Sequence, residues 1–215
     1  MHTYMATLLR RADFQCKVVP ALACRFVLEE IAVEYIDIYD SEKRLTGVRL
    51  PRKDYFLKEN QYAVIVVGLI ERSDRRFLAT RRSEDKKWAA GWWEIPGGGV
   101  RAGEASAQAI VREIKEETGL DVTDARGGLM YTYSRENLKK GDNYFVDIYH
   151  FHMDFDEGDV RVNSSEVTAF KLMTWDEMTA LNQEHLFLHY DRLREGLEQE
   201  RLYGLNFGRI TRFAD

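Results

Sequence analysis

The stretch Arg112 to Leu120, REIKEETGL, governs how the rest of the chain is read. Three glutamates, Glu113, Glu116 and Glu117, fall within five residues of a segment with helical periodicity. At about 100° per residue they share a stripe roughly 100° wide. Ala107, Ile110, Val111 and Ile114 fall on the neighbouring face, so the helix can bury an apolar side against a sheet and leave its acids along a cleft. Like charges at these spacings repel by a few tenths of a kcal/mol per pair, roughly, and something must offset that cost. A solvated charged face is the ordinary explanation of such a cluster. The residues just upstream argue for another: PGGGVRAGE, Pro96 to Glu104, is a glycine-rich loop leading from a strand into the helix, where backbone can approach a phosphate or a metal closely. Carboxylates facing such a loop suit a hard divalent cation, which in turn recruits phosphates that the acids alone would repel.

Working outward, AVEYIDIYD from Ala32 alternates apolar and polar residues, SEKR makes a turn, and LTGVRLPR answers it, which predicts a β-hairpin. YAVIVVGLI (Tyr62 to Ile70) is a nearly all-apolar run of strand length, expected as a central strand buried on both faces, with RRFLATRR (Arg75 to Arg82) as its hairpin partner. KKWAAGWWEIPGGGV holds a short aromatic strand, Glu104 to Thr118 reads as helix, and Gly119 stops it. Further strands are predicted at GLMYTYS, NYFVDIYHFHMDF and EVTAFKLMT. Two helical patterns close the chain, one from Trp175 with Thr174 as its N-cap and one over about Glu184 to Tyr203.

The 215 residues fit one large domain or a domain with an appendage, and 45% hydrophobic content is enough to bury a core. With 31 basic and 36 acidic residues the net charge is −5, which gives no general attraction to nucleic acid, so no stable nucleic-acid binding is expected and a phosphate substrate must be attracted locally. Cys16 and Cys24 have neither a CxxC partner nor metal-ligand spacing, which points to a reducing cytoplasm. No apolar run reaches the roughly 18 to 20 residues needed to span a bilayer, so no membrane passage is expected. ALAC at Ala21 to Cys24 faintly resembles a secretory cleavage site, but the apolar stretch before it is short and broken by Lys17 and Pro20. An extra N-terminal element is the better reading of residues 1–30, with 31–215 forming the main domain.

From Gly98, five residues lead to Glu104 and seven more to Arg112-Glu113, then Ile114, Lys115, Glu116-Glu117, Thr118, Gly119 and Leu120. This resembles the complete Nudix box, G-x5-E-x7-R-E-U-x-E-E-x-G-U with U a bulky apolar residue, at every position. The looser resemblance extends from about Val33 to Leu181. It implies an α/β fold, an α/β/α sandwich with a mixed sheet, carrying here an N-terminal extension and a C-terminal helix. It also implies hydrolysis of a diphosphate bond in a nucleoside diphosphate linked to another group. By the same carry-over, the Gly98 carbonyl and the carboxylates of Glu113, Glu116 and Glu117 hold Mg²⁺ or Mn²⁺, Arg112 orients a glutamate, and Glu104 is an auxiliary group. The expected partner is a small-molecule nucleoside diphosphate derivative, with a homodimer left open.

Attack of water on a diphosphate needs an acceptor for its proton. Glu113 is one candidate; Glu166 in NSSEVTAF, which resembles the region where relatives carry an acid outside the box, is preferred. Arg81 and Arg82 end the strand before the box, and since alternate strand residues point oppositely at most one of them reaches phosphate. Trp93, among Trp88, Trp92 and Trp93, is a candidate to stack on a base, against a competing role in core packing. His185 and His189 are spaced i, i+4 but lack the H-E-x-x-H glutamate of a zinc site, and His150 and His152 read as ordinary strand residues. Two other functions compete. An isopentenyl diphosphate isomerase-like enzyme shares the N-terminal hairpin but needs an active-site cysteine, and both cysteines precede the domain. A non-catalytic nucleotide-binding regulatory module would be expected to have lost box glutamates, and none is lost.

Overall fold

The central run Ala63–Glu71 forms β3, and eight of its nine residues are buried, as a strand covered on both faces requires. The computed structural model describes residues 33–53, 55–162, 166–205 and 210–214. Residues 1–32, with Cys16, Cys24 and ALAC, lie outside the described residues, and Tyr35–Asp215 form one compact unit. Ahead of β3, β1 (Tyr35–Tyr39) and β2 (Leu45–Pro51) form the expected antiparallel hairpin. After it come β4 (Phe77–Arg82), β5 (Trp93–Glu94), β6 (Gly97–Gly99), helix α1 (Ser106–Thr118), β7 (Arg126–Glu136), β8 (Tyr144–His152), β9 (Val167–Met173), α2 (Trp175–Gln183), α3 (Tyr190–Tyr203) and β10 (Ile210–Ala214).

The main sheet is mixed, with spatial order β10-β7-β8-β3-β4-β5, β6 pairing with β3 and β9 with β4. β3 runs parallel to β8, Leu69 opposite His150 and Glu71 opposite His152. Strand alternation sends Val64, Val66, Ile70, Phe145 and Tyr149 to one face, where fully buried Ile110 and Ile114 of α1 meet them. Each such isoleucine stabilises the fold by roughly 1.5–3 kcal/mol. Val67, Leu69, Val146 and Ile148 face the other way, against Met178 of α2 and Leu193 of α3. The result is the expected α/β/α sandwich.

Three local expectations are corrected. β4 is the hairpin partner of β3 only at the turn, where Glu71 pairs with Phe77. Beyond it the strands part, β4 pairs with β9, and β6 takes the freed edge of β3 through Ile65↔Gly99, Val66↔Gly98 and Val67↔Gly97. Only glycine fits that approach at Gly97, since a Cβ there would lie 2.2 Å from the Val66 carbonyl oxygen. The last helix begins at Tyr190 and not near Glu184, because His185 and His189 hold left-handed backbone (φ 57° and 63°). The segment between lies strand-like beside β5, with Trp93 N–H donating to the Leu186 carbonyl and Leu188 N–H to the Trp93 carbonyl, both at 2.8 Å. On α1, Ala107 is exposed, and Ala109 takes its place in the core. A strand after the last helix was not anticipated: β10 adds parallel to β7, Ile210 opposite Thr132. Thr174 caps α2 as expected, accepting from Glu177 N–H at 3.3 Å while the Glu177 carboxylate accepts from Thr174 N–H at 2.8 Å. Among the described residues no helix is long and apolar enough to cross a membrane.

Candidate active site

The site grows out of the parting of β3 and β4. β6 enters that gap with the loop Gly97–Gly99, and α1 lies across it with its first buried acid, Glu113, against Gly98. Of the three helix glutamates, Glu113 and Glu117 are buried, whereas the Glu116 side chain is 45% exposed at the rim. Glu117 Oε2 accepts from Gly97 N–H at 3.2 Å.

Arg112 ties this end of the helix together. Its Nε and Nη2 donate to the two Glu104 oxygens at 2.7 and 2.8 Å, and Nη1 donates to Glu113 Oε1 at 2.7 Å and Glu116 Oε2 at 3.2 Å. Nη2 also reaches the Gly99 carbonyl at 3.2 Å. A planar fork with five donors can serve three carboxylates and a loop at once, which a lysine cannot do. Burial works against the charged form of Glu104, but Arg112 and the Arg101 backbone N–H outweigh it and hold its carboxyl below the usual range.

Glu117 has no such partner. Burial pushes its carboxyl well above the ordinary range, the charges of Glu94, Glu113 and Glu166 adding to the rise against the single Gly97 N–H. Burial also raises Glu113 and Glu94, partly countered by Arg112 in the first case and Arg82 in the second. Crowded carboxylates with so little opposing charge are a poor arrangement for a bare protein and a good donor set for a divalent cation. The Gly97–Gly99 backbone at their side supplies carbonyl oxygens of the same hard character. The donor chemistry therefore fits Mg²⁺ or Mn²⁺, with Glu113, Glu116, Glu117 and the Gly98 carbonyl as the residues that would hold it.

The Gly97–Gly99 loop beside this cluster lines a cavity of about 470 Å³, together with Glu94, Asp142, Arg52, Arg135, Lys140 and Trp88. Arg82 also lines it, donating to both Glu94 oxygens at 2.9 and 3.0 Å with its guanidinium 5.7 Å over the Trp88 ring. Arg81 turns away to the Gly91 carbonyl and Glu84, as strand alternation requires. Trp93 packs against the core under α2 and α3, while 60%-exposed Trp88 lines the cavity. Glu166 is exposed beside Lys86, whose Nζ lies 3.2 Å from Oε2. Its charge is felt by both Glu94 and Glu117. His185 and His189 do not share a helix; His189 Nδ1 lies 2.9 Å from the Tyr133 hydroxyl instead.

The family model of the NUDIX domain matches residues 59–193, well over half of the chain. The chain belongs to the Nudix family. An uncharacterized Nudix hydrolase of Listeria monocytogenes is 24% identical over 160 residues, covering 74% of this chain and 90% of that protein. An RNA pyrophosphohydrolase of Legionella pneumophila is 29% identical over 130 residues, covering 55% of this chain and 71% of its own. Among solved structures, the Nudix domain of Shewanella oneidensis NrtR complexed with ADP ribose superposes with a TM-score of 0.53 at 16% identity, over 66% of this chain and 88% of that one. The present Nudix protein is a hydrolase acting on phosphorus anhydrides. The sequence reading passed over Glu94 and, on the cavity wall, Arg52, Arg135 and Lys140. Glu94 is the one charged residue between Trp92 and Val100, a signal that the neighbouring tryptophans and glycines obscured.

Proposed function

We propose that this Nudix hydrolase, with Mg²⁺ or Mn²⁺ bound, cleaves the diphosphate bond of a nucleoside diphosphate that carries a second group. The observation that carries the reading is the juxtaposition of buried Glu113 and Glu117 with Gly97–Gly99, the loop that lines a cavity carrying Arg52, Arg82, Arg135, Lys140 and Trp88 on its walls. The cavity chemistry suits a small phosphate-bearing ligand, and a structural relative holding ADP ribose supports that class.

In this reading Glu113, Glu116, Glu117 and the Gly98 carbonyl hold the cation, and Arg112 fixes Glu113 through the contact described above. A bound cation supplies an acidified water and neutralises charge on the phosphoryl oxygens. Arg52, Arg135 and Lys140 draw the diphosphate in, and Trp88 offers its exposed face to the base. Water adds its oxygen to one phosphorus, and the bridging P–O bond breaks with its electron pair leaving on the other phosphate. The proton passes to Glu166, whose carboxylate a modest movement of its loop would bring to the attacking water. The isomerase alternative finds no support, since neither cysteine falls within the matched residues 59–193.

A substrate panel tests the reading: nucleotide sugars, dinucleoside polyphosphates, NADH, coenzyme A and nucleoside triphosphates, each with Mg²⁺. Release of a nucleoside monophosphate from a nucleoside diphosphate derivative is expected. Turnover confined to compounds without a nucleoside diphosphate would overturn the assigned substrate class.

A further inference from the structure

At the far end of β3, four residues beyond Val67 and so about 13 Å along the strand from the Gly97 contact, a second cluster of ligating side chains has no part in the reaction above. The parallel register of β3 and β8 brings together Glu71, His150 and His152, all on the α3 face of the sheet. Glu71 Oε2 lies 3.0 Å from His150 Nε2 and 3.7 Å from His152 Nδ1. All three ligand atoms fall within 4.8 Å of one another. Glu71 and His150 are buried, and the His152 side chain is 34% exposed.

The other contacts sharpen the arrangement. His150 Nδ1 meets Glu200 Oε2 of α3 at 2.7 Å, and Arg75 Nη1 holds the remaining Glu71 oxygen, Oε1, at 3.0 Å. A neutral imidazole carries one N–H, yet both His150 nitrogens face carboxylate oxygens inside the protein. The arrangement calls for a further positive charge between His150 and Glu71. A proton would meet that need alone, but it gives no reason for a second imidazole nitrogen to converge on the same Glu71 oxygen. A metal ion does. Tetrahedral ligands at zinc distances sit about 3.3 Å from one another, between the two separations observed. A carboxylate on the far nitrogen is the ordinary support of a ligating histidine, fixing its tautomer and aiming its lone pair.

We propose that Glu71, His150 and His152 form a binding site for a borderline divalent transition ion, Zn²⁺ foremost, with Glu200 orienting His150. Two imidazoles and one carboxylate select such an ion over Mg²⁺, which the all-oxygen set of the box prefers. The fourth position opens to a cavity of about 380 Å³ lined by Arg72, Arg75, Arg126 and Asp154 among others, room for a water or a small anion.

The full-length protein, stripped with chelator and saturated with Mg²⁺ to occupy the box, is titrated with Zn²⁺ alone. One equivalent should bind and raise Tm; His152→Ala, at a half-exposed position, should weaken it about 100-fold or more, and Glu200→Gln about 10- to 100-fold. Glu116→Gln should leave it unchanged. Zinc-edge anomalous diffraction from crystals grown of the wild-type protein, which needs no variant to fold, should place a peak between Glu71, His150 and His152. Absence of that peak at full Zn²⁺ occupancy, or Zn²⁺ binding that survives His152→Ala undiminished, would overturn the proposal.

Discussion

Gly98 and Glu113 share one space: a Cβ on residue 98 would come within 2.5 Å of Glu113 Cδ and 2.6 Å of its Oε1. The glycine is therefore the floor on which the buried carboxylate rests. Gly98→Ala should push Glu113 aside while Gly98 keeps an ordinary strand backbone. Because misplacing a reacting group by about 1 Å costs on the order of 10²-fold, kcat should fall by about that factor with little change in Tm. Parallel steady-state kinetics and thermal melts check both halves.

Arg112 is the strut of the same site. Arg112→Ala removes a half-buried guanidinium and leaves Glu104 and Glu113 without their main partner, which should cost roughly 2–4 kcal/mol of stability as well as activity. Arg112→Lys keeps the charge without the fork. It should regain part of the stability in urea denaturation and little of the kcat.

If Glu166 accepts the proton, Glu166→Gln should lower kcat by about 10² to 10⁴ with KM nearly unchanged, since proton removal is required in the transition state and not in binding. Glu177 is no neutral comparison, because it completes the capping box of α2 and its carboxyl is held down to about 2 by Lys171 and the Thr174 N–H. Exposed Glu198 on α3 is the better one. Equal, near-wild-type rates for Glu166→Gln and Glu198→Gln would shift the role to Glu113.

Burial pushes the His189 imidazole down to about 4, with the charges of Arg82 and Arg135 adding to the effect. The unfolded chain takes up this proton near pH 6.5 and the folded one only near 4, so protonation favours unfolding. Stability from this group is fully present above about 6.5 and is lost as pH falls through 4. The loss amounts to no more than about 3 kcal/mol, less for the part of the ring that water still reaches. His189→Asn, which tolerates the left-handed backbone at φ 63°, should flatten the decline in Tm between pH 6.5 and 4.5.

Much of this was legible because it is local. β3 announces itself as one apolar run, α1 as one amphipathic stripe, and the box spacing places Gly98 and the glutamates on a loop and helix that adjoin in sequence. What was not legible depends on long-range pairing. Nothing in Ala63–Glu71 says that β4 leaves it after one residue pair and that Gly97–Gly99 takes the vacated edge. The start of α3 at Tyr190 depends on how 186–188 lies beside Trp93, a partner over 90 residues earlier in the chain. Glu71 and His150 are 79 residues apart and meet only through the β3–β8 register, so two ordinary-looking strand histidines concealed a cluster.

Glu116 and Glu117 belong to the crowded carboxylate cluster of the bare protein and are assigned to the cation in the working enzyme. The most direct measurement is phosphate-anhydride hydrolysis by the wild type, Glu116→Gln and Glu117→Gln, each with saturating Mg²⁺ and again in excess EDTA. The account predicts turnover by the wild type only with the metal, a fall in kcat on the order of 10²-fold or more in each variant, and folding unharmed because a repulsive cluster is relieved. Undiminished hydrolysis in EDTA, or near-wild-type kcat in both variants at saturating Mg²⁺, would contradict it.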